Sequence, residues 1–374
     1  MTERGLEMEY THGGDVYRNR VKMDFSANIG PFGMPESVRE AAIRGVLAST
    51  AYPDSEAEEL RNGIAGKEGV LPEQIVCGNG AAEVIYHLAA ALKPKHALLL
   101  APTFSEYEHA LRTVGCQCRY YFLREKNGFR IMPDILDQIT EVIDLVLICN
   151  PNNPTGVICP KDLYFPLMET CRLRNCVLAV DECFQDFLLE EDRCSFLDMW
   201  KSAEERKRGR LFVLKAFTKM YGIPGLRMGY GISTERELVR KMKKERQAWN
   251  VSVPAQYAGL AALKKEEFAK TTRNYVAGER RRMKQELKKL GFQVFDSRAN
   301  YIFFKNPYRA ELYEQCLKKE ILIRKCENYL GLDASFYRIA VKTREENEEL
   351  LRCLESIVRR EEIWQQARSR EERK

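Results

Sequence analysis

Leu145-Val146-Leu147-Ile148-Cys149-Asn150-Pro151-Asn152-Asn153-Pro154-Thr155-Gly156 decides the reading of this chain. The first five residues are continuously apolar, which is the pattern of a short strand buried on both faces. The run stops in a cluster of Asn, Pro, Thr and Gly, residues that break and turn the backbone. As a string this is a turn signal. It also leaves Asn153 just past the carboxyl end of a strand, where open α/β sheets collect their ligands, with an amide able to donate to a phenolate oxygen. Similar short runs lie at 75–77, 97–100, 177–180, 211–214 and 228–232, with helical patterns such as 81–92 and 161–172 between them. Strand–helix alternation of this kind predicts an α/β fold with a mostly parallel sheet covered on both faces.

After about Pro254 the pattern changes. Charged helical stretches at 255–264 and 267–290 are followed by separate strand-like pieces at 292–295, 300–304 and 336–341, then by an amphipathic helix over about 345–360. This reads as a smaller α+β domain. The expected division is an N-terminal segment 1–45 belonging with the small domain and the substrate loop, a large domain 46–265, and a small domain 266–374. The polar tail 364–374 is expected to fray.

At 374 residues the chain is long enough for two domains. No run approaches the roughly 20 apolar residues of a membrane helix, and residues 1–15 lack the apolar core of a secretion signal. The formal net charge of +6 is spread among interleaved acids and bases, as in Lys264-Lys265-Glu266-Glu267. That is a solvated helix face and no footprint for nucleic acid, though a mild positive bias suits an anionic substrate. The 12 cysteines include no C-x-x-C pair and mostly sit in apolar runs, so they read as reduced thiols of a cytoplasmic protein. The 4 histidines show no metal-ligand spacing, and no metal is expected.

Three more strings sit at strand ends. Cys77-Gly78-Asn79-Gly80-Ala81-Ala82-Glu83 opens a helix with small residues, which suits either a tight turn or an anion held on backbone N–H groups. Val180-Asp181-Glu182 ends an apolar strand in an acid, which is costly without a partner; a protonated pyridine nitrogen and a structural arginine both qualify. Phe217-Thr218-Lys219 precedes Pro224-Gly225-Leu226-Arg227-Met228-Gly229, pairing an amine that can form an imine with a planar fork for phosphate.

In this order and spacing the strings resemble the fold-type-I aminotransferase family (class I/II) over nearly the whole chain. The resemblance implies a large domain with a mostly parallel seven-stranded sheet, a smaller α+β domain, and pyridoxal 5′-phosphate as cofactor. It implies Lys219 as the lysine that carries the cofactor as a Schiff base, Asp181 at the pyridinium nitrogen, Asn153 at the phenolic oxygen and Phe104 stacked on the ring. It implies Gly80, Ala81 and Ala82 as backbone donors to the phosphate, with Thr218 and Arg227 as side-chain donors. Tyr52, in Ala51-Tyr52-Pro53-Asp54, matches a tyrosine that reaches the neighbouring subunit's phosphate, which implies a homodimer. Ala216 stands where many relatives have a serine, so one phosphate donor is missing; Lys215 is the nearby candidate to replace it.

Within the family, His12-Gly13-Gly14, Asp24-Phe25-Ser26-Ala27-Asn28-Ile29, Asp181-Glu182-Cys183-Phe184, Ile321-Leu322-Ile323-Arg324 and Phe336-Tyr337-Arg338-Ile339-Ala340 resemble the threonine-phosphate decarboxylases of cobalamin biosynthesis. Phe184 separates them from histidinol-phosphate aminotransferases, which usually carry Tyr there. Gly30 departs from the usual Asn and leaves the shape of the substrate loop open. The resemblance implies His12, Gly13, Asn28, Asn153, Arg324 and Arg338 as holders of O-phosphothreonine, and two arginine forks suit a substrate with a carboxylate and a phosphate. The expected reaction is decarboxylation to aminopropanol phosphate, with the carboxylate rather than the α-hydrogen held perpendicular to the cofactor ring and Lys219 a candidate acid at the α-carbon. Three alternatives stay open: histidinol-phosphate or another phospho-amino-acid transamination, O-phosphoserine as the substrate, and a cofactor-binding regulator without turnover. The assignment of the two arginines to phosphate and carboxylate also stays open.

Overall fold

The computed structural model describes residues 12–204, 209–308 and 310–371. The secretion-signal reading of the N-terminus falls mostly on residues outside these. A seven-stranded sheet forms the larger part, in the order Ile75–Asn79, Met228–Ser233, Leu211–Ala216, Val177–Asp181, Leu145–Cys149, His96–Ala101, Gln117–Phe122. Met228–Ser233 runs antiparallel to both neighbours, and the remaining pairs are parallel. The strands are continuously apolar because both faces are covered. Val146, Ile148, Leu178, Val180, Leu211 and Val213 join one core cluster, while their alternates Leu145, Leu147, Val177, Ala179, Phe212 and Leu214 join the cluster beneath the helices Gly80–Leu92, Glu106–Thr113 and Arg236–Glu245. Gln117–Phe122 escapes a search for apolar runs because it is the edge strand and places exposed Gln117 and Arg119 among its less polar residues.

A second sheet, Arg324–Lys325, Phe336–Ala340, Tyr301–Lys305, Gln293–Val294, is antiparallel throughout. The long helices Glu266–Lys289 and Arg344–Glu371 accompany it. The second helix runs past the expected stop near 360 and takes in most of the tail expected to fray. Its acids and bases recur at helical spacing, as in Glu355 and Arg359, which pair one turn apart. The N-terminal segment contributes Met23–Asp24, a two-residue strand parallel to Ile321–Leu322, and Phe25 continues it with bonds to Leu322 and Ala340. This pairing delivers Ser26 and Asn28 to the carboxyl ends of the large sheet.

All 12 cysteines are free thiols and none is exposed. Among the described residues no cluster of His, Cys, Asp and Glu is placed to hold a metal ion, and no helix is long and apolar enough to cross a membrane.

Candidate active site

The carboxyl ends of Leu145–Cys149, Val177–Asp181 and Leu211–Ala216 open into a cavity of about 440 Å³. Its lining brings together Lys219, Asp181, Asn153, Arg227 and Arg338, four of them from strand-end strings and the last from the second sheet. Ala81, Ala82, Phe104 and Thr218 line it too, and so do His12, Gly13 and Asn28 from the N-terminal segment. Three of the expected residues lie outside it. Gly80 stands directly behind Ala81, Arg324 opens into an adjoining cavity of about 250 Å³, and Tyr52 is 78% exposed and stacks on Trp249.

Gly80 is required at its position twice over. Its φ of +81° is in the left-handed region, and a Cβ there would lie 2.8 Å from Cζ of Arg227. The guanidinium therefore packs against the first turn of the helix Gly80–Leu92, beside N–H groups that have no partner within a helix. A Cβ on Gly229 would meet the carbonyl carbon of Gly80 at 2.7 Å, so the neighbouring strand also packs tightly here. Small residues thus build a cradle in which backbone donors, a helix dipole and a guanidinium converge on one anion.

Asp181 is 7% exposed. Burial pushes its carboxyl up, against the donors that surround it: Cys183 N–H at 2.9 Å and Tyr107 O–H at 2.6 Å. No lysine or arginine pairs with it among the described residues. It is a buried acid that still accommodates a cation. Asn153 is oriented by its oxygen, which accepts from Arg338 Nη1 and, at 3.5 Å, from Tyr329 Oη. The amide nitrogen is thereby left to donate. The oxygen of Asn28 is buried without a partner among the described residues, a second polar atom open to an added group.

Burial holds Lys219 below the ordinary lysine range, and Arg338 and Arg227 push the same way against Cys183 and Asp181. A lowered pKa leaves more of the amine neutral and nucleophilic. Its carbonyl accepts from Gly30 N–H at 2.9 Å, and a Cβ on Gly30 would stand 3.2 Å from that oxygen. Glycine at this departure lets the N-terminal loop seat against the backbone of the reactive lysine. Lys215 does not replace the donor missing at Ala216. Ala216 faces the cavity, while Lys215 turns to the opposite side, 2.7 Å from Glu68 and 3.9 Å from Glu182. Burial disfavours its charge, but the two carboxylates outweigh that and hold the ammonium above its usual range. Glu182 is pushed up to about 7 by its own burial.

Arg324 and Arg338 face each other directly across the antiparallel strands Arg324–Lys325 and Phe336–Ala340, 8% and 5% exposed. Like charges in that register are destabilising unless an anion lies between or beside them. Arg338 donates to Ser26 O at 2.6 Å and stands over the Tyr301 ring; no carboxylate pairs with it among the described residues. Arg324 donates to Asn328 at 2.7 Å and covers the Tyr329 ring. The site can accordingly hold one anion at the cradle, a cation at Asp181, an oxygen at Asn153, a carbonyl at Lys219 and one or two further anions at the arginines.

This constellation agrees with the match of the family described as aminotransferase class I and II, which covers residues 20–354. The chain belongs to the class I and II aminotransferase family. Among its relatives in the family, the threonine-phosphate decarboxylase of Salmonella typhimurium is 35% identical, covering 90% of this chain and 91% of that protein. Histidinol-phosphate aminotransferase 1 of Bacillus cereus is 31% identical over 89% of this chain and 88% of its own length. The crystal structure of the histidinol-phosphate aminotransferase from Clostridium acetobutylicum superposes with a TM-score of 0.82 at 31% identity, covering 90% of this chain and 99% of that one.

Several lining residues were given no site role from sequence: Glu106 and Tyr107, and also Ser26, Cys183 and Tyr329, which stand in strings that carry the resemblance. Tyr107 had one usable signal. It follows Phe104 by three positions at the start of a helix, so both rings face the same way, in edge contact at 5.6 Å.

Proposed function

We propose that the chain decarboxylates O-phosphothreonine with pyridoxal 5′-phosphate as cofactor, yielding aminopropanol phosphate. The observation that carries this is the convergence of Lys219, Asp181, Asn153 and the Gly80–Arg227 cradle on one cavity that also holds Arg338. The cradle fits the cofactor phosphate, the unpaired acid Asp181 fits a protonated ring nitrogen, and the Asn153 amide fits the phenolic oxygen. Ala81, Ala82 and Thr218 would add donors at the phosphate, and Phe104 would lie against the ring. When bound, the cofactor supplies an aldehyde for imine formation and an electron-withdrawing ring that receives the electron pair of a broken α-bond.

The protein's own residues do the rest. Asp181 would keep a proton on the ring nitrogen. Arg338, with Asn28 beside it, holds one anionic group of the substrate; Arg324, His12 and Gly13 border the adjoining space for the other. Whichever fork holds the carboxylate selects the bond that breaks, so these residues choose decarboxylation over loss of the α-hydrogen. CO2 leaves, and Nζ of Lys219, having taken a proton from the substrate's ammonium group, would pass it to the α-carbon. The 35% identity to a threonine-phosphate decarboxylase supports this reaction over transamination, for which the relatives are less similar.

The test is release of labelled CO2 from O-phosphothreonine without any added keto acid. Arg338→Ala is expected to lower kcat/KM roughly a hundredfold, because it removes an anion fork and also frees the Asn153 amide to turn. Consumption of histidinol phosphate with a keto acid, and no CO2, would replace this reading by transamination.

The same reading makes the enzyme a cytoplasmic homodimer, with the 12 free thiols supporting the compartment. It divides the chain into 1–45, 46–265 and 266–374, and the pairing of Met23–Asp24 with Ile321–Leu322 supports placing the first segment with the third. Tyr52 would reach the cofactor phosphate of a second copy. Its exposure beside Trp249, near exposed Val46 and Leu47 on the helix Glu36–Leu47, supports a contact surface there. Tyr52→Phe is expected to weaken cofactor retention by about 1.5–3 kcal/mol. Sedimentation that shows a fully active monomer would count against it.

A further inference from the structure

The His12–Glu106 pair stands at the cavity lining, and nothing in the proposed chemistry uses Glu106. Its carboxylate is 15% exposed and opens into a space meant for anions. Nε2 of His12 lies 2.9 Å from Oε1, and Tyr86 donates to Oε2 at 3.3 Å. The bond to His12 does most to hold the Glu106 carboxyl below its ordinary range, so the carboxylate is the form present. A carboxylate accepting from one ring nitrogen sets the orientation of the ring and leaves the other to donate to an anion when the ring is an imidazolium. Here the other is Nδ1, which has no hydrogen-bond partner among the described residues.

The segment carrying His12 is fixed at its other end. Gly14 N–H donates to Ser26 Oγ at 2.7 Å, and a Cβ on Gly13 would lie 2.7 Å from the carbonyl carbon of Ser26. Arg338 grips the same Ser26 carbonyl. Residues 12–14 thus form a strap from Arg338 on the second sheet to the helix Glu106–Thr113 on the first. His12, Gly13 and Ser26 line both the 440 Å³ cavity and the 250 Å³ cavity of Arg324, so the strap is the wall between them. Among the described residues the His12 end of the strap is held by the ion pair with Glu106 and by ring contact with Phe104, and the ion pair is the directional tie.

We propose that Glu106 is a positioning residue that acts through His12, holding the strap across the cavity so that the imidazole meets the anionic end of the substrate. This rests on the decarboxylase reading of the same site. The contribution is to substrate binding, so its loss falls in KM. The experiment compares wild type with Glu106→Ala, Glu106→Gln, His12→Ala and the double variant His12→Ala/Glu106→Ala, all as holoenzyme. Readouts are KM and kcat for CO2 release from O-phosphothreonine. Glu106→Ala and His12→Ala are each expected to raise KM roughly tenfold, the scale of one charge-assisted hydrogen bond, and the double variant no more than the worse single one. Should Glu106→Ala fail to fold, Glu106→Gln keeps the shape without the charge and is expected to raise KM at least about threefold. A KM unmoved by either Glu106 variant overturns the proposal. So does a loss confined to kcat, or effects that multiply in the double variant. If wild type releases no CO2, the decarboxylase reading fails by itself; the same variants are then compared by the dissociation constant of O-phosphothreonine, read from the cofactor's absorbance, with the same tenfold weakening expected.

Discussion

Lys219→Ala is expected to lower kcat by a factor on the order of 10⁴ or more and to abolish the visible absorbance band of the holoenzyme that borohydride bleaches. Two losses combine. The amine that forms the imine is gone, and so is the group placed to return a proton at the α-carbon, itself worth about 10²–10⁴. The variant should still take up cofactor, because the Gly80–Arg227 cradle, Asp181 and Asn153 are untouched. Lys219→Arg is not expected to rescue, since a guanidinium stays protonated where burial and two nearby arginines hold the lysine below its ordinary range. The measurement is single-turnover CO2 release after reconstitution, beside the absorbance spectrum. Turnover within tenfold of wild type in the alanine variant would remove Lys219 from the chemistry.

Asp181→Asn is expected to cost about 10³ in kcat, the scale felt when a group that stabilises developing charge is lost. The substitution keeps the shape and one oxygen, which can still accept from the Cys183 N–H, while the new NH2 group faces the Tyr107 hydroxyl, which can turn to accept from it. What it removes is the negative charge that keeps a ring nitrogen protonated, so the loss should fall in kcat with substrate affinity little changed. Burial pushes the Asp181 carboxyl up in the free protein, and a cation on the cofactor ring would favour its charged form. Cofactor affinity in Asp181→Asn should therefore fall as well, and should depend less on pH in the acid range than in wild type. A variant with wild-type kcat would show that the acid is structural and that Tyr107 and Cys183 are its only purpose.

The order and spacing of the strings, through the family resemblance they carry, led to Lys219, Asp181 and Asn153 as residues of one site. Each ends a short apolar run, and in a parallel sheet covered on both faces such runs deliver their carboxyl ends to one edge. Gly80 was legible as one of a run of small residues opening a helix; its left-handed φ beneath the Arg227 guanidinium, which admits no side chain, came from the folded chain. Helical and apolar periodicity likewise marked nearly every element of the large sheet. The edge strand Gln117–Phe122 and the far reach of the helix Arg344–Glu371 went unmarked, because one alternates toward solvent and the other carries almost no apolar stripe near its end.

Tertiary structure decided the rest, through contacts between residues far apart in sequence. Arg324 and Arg338 come face to face only because two short strands pair in one register. Lys215 is withdrawn from the cavity by Glu68, a partner on a separate helix that no local pattern connects to it. Tyr107 reads as a core residue of an amphipathic helix until its hydroxyl is seen on Asp181. Glu106 is one more charge at a helix start until the strap brings His12 to it across the cavity. Strand ends and glycine turns are local consequences of sterics and burial, so the sequence determines them by itself; which buried polar group meets which depends on the packing of whole sheets, and only the folded chain contains that information.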